Sequence, residues 1–338
     1  MRGARAWRRF SHHQAAVVSL LTLALLGIYC GLWPFLTPYD PYAVDFSQKF
    51  LLPGSSHPFG TDLFGRDLFT RMALGGQVSL LVAAGAAGIV AVAGLAYGAV
   101  SGFAGGRVDE TMMRVLDGLF AIPRLPFYIV LVVILAGRNT GTGTLIVALS
   151  AVSWLATARL VRMQVVSLRQ SEYVRAARVL GARPLHVLVR HLAPNTLGIL
   201  LVAVLLELPA LLLGEALVSV LGLGPNPPAA TWGNIAQEGM QYNSMWLVLL
   251  PSIAITGFAV CANFVADGIQ DALDPRREWA SARPRRKPLR RFARTLFGSR
   301  AVPFDDTDGV DYVRERPVGD ALAGEERVGD RRVAVPDE

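Results

Sequence analysis

The chain has 338 residues, of which 52% are hydrophobic and only 17% charged, with a formal net charge of +7. Its mean hydropathy is +0.40. A composition this apolar excludes an ordinary soluble domain, and several apolar windows of roughly 20 residues can each cross a bilayer core of about 30 Å.

Residues 1–14 form a basic N-terminus with Arg2, Arg5, Arg8 and Arg9. An apolar run over 15–36 follows. It is too long for the core of a signal peptide, and no small-x-small cleavage site comes after it, so it reads as an uncleaved anchor. Residues 37–77 are mixed and expected outside the membrane. Lys49, Arg66 and Arg71 in this segment are balanced by Asp40, Asp45, Asp62 and Asp67. Further spans are expected at 78–103, 119–136, 142–160, 197–221 and 245–266. The start of the third is interrupted by Arg124 and Pro126. Apolar runs of this length satisfy their backbone as helices. The predicted class is therefore all-α, a polytopic membrane protein with six transmembrane helices.

The basic residues set the expected orientation. Arg162, Arg169, Arg175, Arg178, Arg183 and Arg190 crowd the 161–196 loop, opposed only by Glu172, whereas 222–244 holds no Lys or Arg. Both termini are then expected in the cytoplasm. Because the cationic residues flank apolar spans, membrane anchoring accounts for the positive charge and no nucleic-acid partner is implied. The tail over 277–338 is basic at first, then acid-rich with few large apolar residues, and is expected to be disordered. Cys30 and Cys261 fall in apolar spans and give no disulfide framework.

Loop 161–196 is the most informative stretch. Glu172 to Leu180 reads as a short helix, with Ser171 placed to cap it and Glu172 favourable against the helix dipole. Gly181 can end it in a left-handed conformation, and Pro184 suits the first turn of a second helix. Ala176 and Ala177 leave the helix backbone open to close approach by another protein. An ordinary connector whose arginines only enforce topology fits the same pattern.

Glu207 and Glu215 stand in or near the fifth span. An ionised carboxylate there is costly and usually faces protein or a water-filled path. Eight residues at about 100° each leave the two only ~80° apart around a helix, so one face can hold both. Pro209 should loosen the helix between them. A translocation pathway and a hydrogen-bonded structural acid at a subunit contact are both compatible with the pair.

The sequence offers no chemistry of its own. It has two lysines, Lys49 and Lys287, neither in a P-loop, and no HExxH, paired-cysteine or G-x-S-x-G pattern. No catalytic residue, cofactor or metal site is expected.

At this point the motifs resemble a known family. Ala176, Ala177, Gly181 and Pro194 match in register the E-A-A-x3-G-x9-I-x-L-P loop of ABC-importer permeases. Arg175 stands where the pattern has its first Glu, His191 where it has Ile, and Ala193 where it has Leu. Glu172, one turn earlier, is the nearest acid. His57 to Asp62 followed by Gly65-Arg66-Asp67 resembles the HPFGTD..GRD stretch of the C-type permease of dipeptide, oligopeptide and nickel importers. Gly105-Gly106, Asp109-Glu110, Met113-Arg114 and Asp117 resemble its next motif. So do Glu215-Ala216, 221–224, Pro227-Pro228, Trp232-Gly233 and Glu238-Gly239, and finally Asn263, Asp267-Gly268 and 271–276. The matches run in the expected order over roughly residues 57–276.

The resemblance implies a type I ABC-importer permease fold, with a core over 78–276. It also implies a second homologous permease, two ATP-binding subunits, an extracytoplasmic substrate-binding protein and a peptide-like substrate, in a bacterial inner membrane. The ATPase-coupling residues would be Glu172, Arg175, Ala176, Ala177, Gly181 and Pro194, and the pathway residues Glu207 and Glu215. The alternative is a secondary transporter or channel acting without an ATPase.

Overall fold

A computed structural model describes residues 10–137, 141–226 and 229–273. The N-terminal arginines, Pro227-Pro228 and the expected disordered tail lie outside the described residues. Among these residues the regular structure is helical, with one isolated bridge pairing Thr61 and Asp67.

Helix α1 spans Gln14–Leu36 and α2 spans Leu68–Ala104. Helix α3 covers Gly106–Phe120, α4 Arg124–Ala136 and α5 Thr142–Arg169. In the basic loop α6 is Glu172–Val179 and α7 is Pro184–Val187. A π-helical turn, Leu188–Leu192, leads into α8, Ala193–Val218. Helix α9, Trp232–Gln241, lies outside the bundle's long helices, and α10, Met245–Leu273, closes the described chain.

Five helices are long and apolar enough to cross a membrane: α1, α2, α5, the run from Leu188 through α8, and α10. The expected third span is different. The chain bends by 87° between α3 and α4. The reason lies in the residues at the bend. Pro123 holds extended backbone (φ −61°, ψ 126°) ahead of α4, and a proline disfavours helix in the residue before it. Only 13 residues then remain in α4, so a sixth crossing is present only where the bent pair α3 and α4 together make one span.

Helix α2 starts ten residues before the expected span. Asp67 caps it, with its carboxylate accepting from Thr70 N at 2.8 Å. At 37 residues and 1.5 Å per residue it is ~55 Å long, well beyond the hydrocarbon core. Helix α8 stays continuous through Pro209. Within a membrane bundle, neighbouring helices can compensate for the backbone bond that a proline removes.

Helices α2 and α5 form the centre of the core, and small residues set their separation. A Cβ on Gly98 would stand 2.3 Å from Ala158 O, and one on Gly102 would stand 2.8 Å from Arg162 O. A Cβ on Gly94 would stand 2.6 Å from the Thr157 Cγ2 methyl. This G-x3-G-x3-G edge brings the two backbones together by packing rather than by hydrophobic exclusion, which has no force in lipid. Leu145, Leu149, Val152, Leu211, Leu212 and Trp232 fill the core around it.

Candidate functional site

The basic loop is a helical hairpin seated on the bundle. Val174 of α6 is fully buried and joins Val161, Val165, Val187, Leu192 and Leu200 in a small apolar cluster. That cluster contains residues of α5 and α8, so α6 is packed against the ends of two long helices. Gly181 has φ +82°, a left-handed conformation that glycine adopts without a Cβ penalty. Ala182 N donates to Ala177 O at 3.0 Å, the bond that closes a Schellman cap. Ser171 does not cap α6 with its side chain as expected. Its hydroxyl donates back to Leu168 O at 2.5 Å, while its carbonyl accepts from Arg175 N.

The outward face is open. Glu172, Arg175, Ala176, Gly181 and Pro194 are exposed and Ala177 is half-buried. Val179 and Leu180 are each 87% exposed, which leaves two large apolar side chains beside the glycine cap with no cover among the described residues. A Cβ on Gly181 would meet nothing within 4 Å. Among the described residues Glu172 and Arg175 form no ion pair.

The two acids of α8 are treated differently by the fold. Glu215 is fully enclosed. Its carboxylate accepts from Ser79 Oγ of α2 at 2.8 Å and from Ser219 Oγ at 2.6 Å. Ser79 Oγ in turn accepts from Trp232 N at 3.2 Å, and Trp232 Nε1 donates to Met72 O at 2.9 Å. Glu215 therefore ties α2, α8 and α9 together. A Cβ on Gly233 would stand 2.6 Å from Ala216 O, so the tie depends on the small residues that flank it. Glu207 instead pairs with Arg124 Nη1 at 2.7 Å, with side chains 12% and 39% exposed respectively. The two carboxylates are on one helix but do not share a site.

Two clusters were not anticipated. At the end of the bundle that carries residues 37–67, Asp62 is fully buried and accepts four hydrogen bonds. They come from Phe64 N at 2.8 Å, Arg66 N at 3.0 Å, Arg66 Nε at 2.7 Å and Arg71 Nη1 at 2.5 Å. Arg71 also reaches Glu238 of α9 at 2.6 and 2.8 Å. His57 bridges Asp67 and Gln48, at 3.0 Å each. The glycines of this motif are required by close approach. Gly60 and Gly65 have φ +75° and +74°, and a Cβ there would stand 2.2 Å from Leu51 O and 1.9 Å from Asp45 O.

At the opposite end, α3 divides its charged residues between the surface and the bundle. Glu110 and Arg114 pair on the surface at 2.5 Å. Asp109 turns inward, accepting from Arg162 Nε at 2.5 Å, Arg162 Nη2 at 2.6 Å and Ser101 Oγ at 2.5 Å. The Arg162 guanidinium holds the Asp109 carboxyl below its usual range, with the Ser101 hydroxyl adding to the effect. Asp117 pairs with Arg159. Two carboxylates of α3 are thus clamped to α5 next to the basic loop.

Residues 94–279 match the family described as binding-protein-dependent transport system inner membrane component. Residues 2–53 match the N-terminal transmembrane domain of oligopeptide transport permease C. The chain is 38% identical over 274 residues to a dipeptide transport system permease protein of Bacillus subtilis, covering 80% of this chain and 85% of that protein. It is 39% identical over 275 residues to an oligopeptide transport system permease protein of Haemophilus influenzae, covering 80% and 88%. The corresponding Escherichia coli K12 protein is 40% identical over 277 residues, covering 80% and 90%.

Proposed function

The chain belongs to the binding-protein-dependent transport system inner membrane component family, and from that premise we propose that it is a permease subunit of an ATP-driven peptide importer. It forms half of a translocation pathway with a second homologous permease. Two ATP-binding subunits hydrolyse ATP, and an extracytoplasmic binding protein delivers the solute. Both termini and the basic loop face the cytoplasm in a bacterial inner membrane, and residues 37–67 with α9 face outward.

The observation that carries this reading is the construction of α6. A short helix with an open face, two uncovered apolar side chains and a glycine cap sits on a buried valine between α5 and α8. Such a helix can take up the motion of a partner and pass it to two membrane helices as a rigid-body shift. Glu172, Arg175, Ala176, Ala177, Gly181 and Pro194 form or position the face that meets an ATP-binding subunit. ATP state biases the permease only through contacts that differ between its two states.

The test is reconstitution of the four membrane and ATP-binding subunits in proteoliposomes. Peptide-loaded binding protein should stimulate ATP hydrolysis, and labelled peptide should accumulate only with ATP. Accumulation driven by an ion gradient without the ATP-binding subunits would replace this reading with that of a secondary transporter.

A further inference from the structure

Arg124 opens α4 directly after the 87° bend, and Glu207 stands near the middle of α8. They join through one Nη1–Oε1 bond of 2.7 Å. Among the described residues, no other hydrogen bond reaches the Arg124 guanidinium, and 39% of its side chain is exposed. One turn further along α4, Tyr128 is buried and its hydroxyl is taken by Ser153 Oγ at 2.9 Å. The Tyr128 hydroxyl is thus occupied, and the Arg124 guanidinium keeps N–H groups with no hydrogen-bond partner among the described residues.

A charged side chain within a membrane bundle almost always faces the bundle interior or a water-filled cavity and pairs with another polar group. The exposed edge of Arg124 must therefore border water or another protein. Glu215, eight residues along the same helix, shows how this fold holds an enclosed acid, with serine hydroxyls on both oxygens. The Arg124–Glu207 pair has the opposite construction, a cation with donors to spare and an acid that holds it by one oxygen.

We propose that Arg124 is a carboxylate-docking residue on the transport path, positioned by Glu207. The spare guanidinium N–H groups form a planar fork that matches a carboxylate in a two-bond arrangement. Glu207 keeps the empty site neutral and fixes the Arg124 side chain, so that no unpaired charge is left between solutes. The ligand is the C-terminal carboxylate of a peptide. The proposal rests on the import reading above and assigns the chemical end of the solute that this subunit recognises.

The assay uses the complete complex of two permeases and two ATP-binding subunits, purified in detergent without binding protein, so that the permease alone is read. Radiolabelled tri-alanine should bind the wild-type complex about tenfold more tightly than tri-alanine amide, the scale of one charge-assisted hydrogen bond. R124Q should bind both equally and weakly, and R124K should recover part of the preference. The R124Q/E207Q double variant keeps the site neutral, so it should fold normally and still show no preference.

Absence of binding by the wild type, equal binding of acid and amide, or an intact preference in the double variant would each overturn the proposal. Loss of the second permease from purified R124Q with the preference unchanged would reassign the pair to a subunit contact. ATP-dependent peptide uptake by the wild-type importer is measured alongside. If uptake is normal and the preference is missing, docking fails alone, whereas absent uptake of any peptide removes the import reading itself.

Discussion

Replacing Asp62 by alanine should be the most damaging single change in the segment before α2. The Asp62 carboxylate is fully buried and holds four donors, two of them guanidinium groups. Arg71, the partner at 2.5 Å, is 4% exposed. Removing one member of a buried pair leaves an uncompensated charge and costs about 3–5 kcal/mol. Here Arg71 retains two bonds to Glu238, which places the expected loss near 3 kcal/mol. Glu238→Ala should cost less, roughly 1.5–3 kcal/mol, because Glu238 is 24% exposed and Arg71 keeps Asp62. Glu110→Ala is the control. Its pair with Arg114 is 60% and 78% exposed, and exposed pairs contribute about 0–1 kcal/mol. Equilibrium unfolding of the purified complex in mixed micelles should give the order Asp62→Ala, Glu238→Ala, Glu110→Ala, from largest loss to smallest. Equal effects at Asp62 and Glu110 would refute the argument that burial, rather than pairing as such, sets the cost.

The remaining expectations concern packing, coupling and pH. Gly98→Val places side-chain carbon where a Cβ already stands 2.3 Å from Ala158 O, so α2 and α5 must separate; overpacking of about 1–3 kcal/mol should appear as a lower melting temperature in detergent. Gly181→Pro, or a bulky residue at Ala177, should leave insertion intact and abolish the rise in ATP hydrolysis on addition of loaded binding protein; unimpaired transport would remove the coupling role. Glu215→Ala should lower the melting temperature by stripping both serines of their acceptor, whereas Glu207→Gln should act mainly on peptide uptake. The pair Asp109–Arg162 gives a pH signature. Arg162 holds the folded-state pKa of Asp109 below its unfolded value, so the stabilisation is complete above the ordinary aspartate value of about 3.9. It is lost as pH falls through the lower folded value, and Asp109→Asn should remove that part of the acid dependence of melting without changing melting at neutral pH beyond a constant offset.

What could be read in the sequence, and what could not, divides by chain separation. Helix lengths, the glycine end of α6 and the glycines before α2 are local matters. Hydropathy, a proline or a required left-handed residue signals each of them within a few positions. Arg71 and Glu238 are 167 residues apart, and Ser79 and Glu215 are 136 apart; no pattern in one sequence connects them. Glu207 and Glu215 show the limit most clearly. Their angular offset of ~80° puts them near one face of a helix, but two turns also separate them by ~12 Å along its axis. That distance is enough for each to meet different neighbours, the bend residue Arg124 in one case and the α2–α9 contact in the other. Angular position says which way a side chain points, while height along the helix decides what it meets. Arg124 followed the same logic in reverse. In the sequence it only interrupted a hydropathy window, because the acid that compensates it lies on another helix. Arg124 opens α4 directly after the bend and bonds Glu207 there, so the residue that breaks the apolar pattern is the one that forms the ion pair.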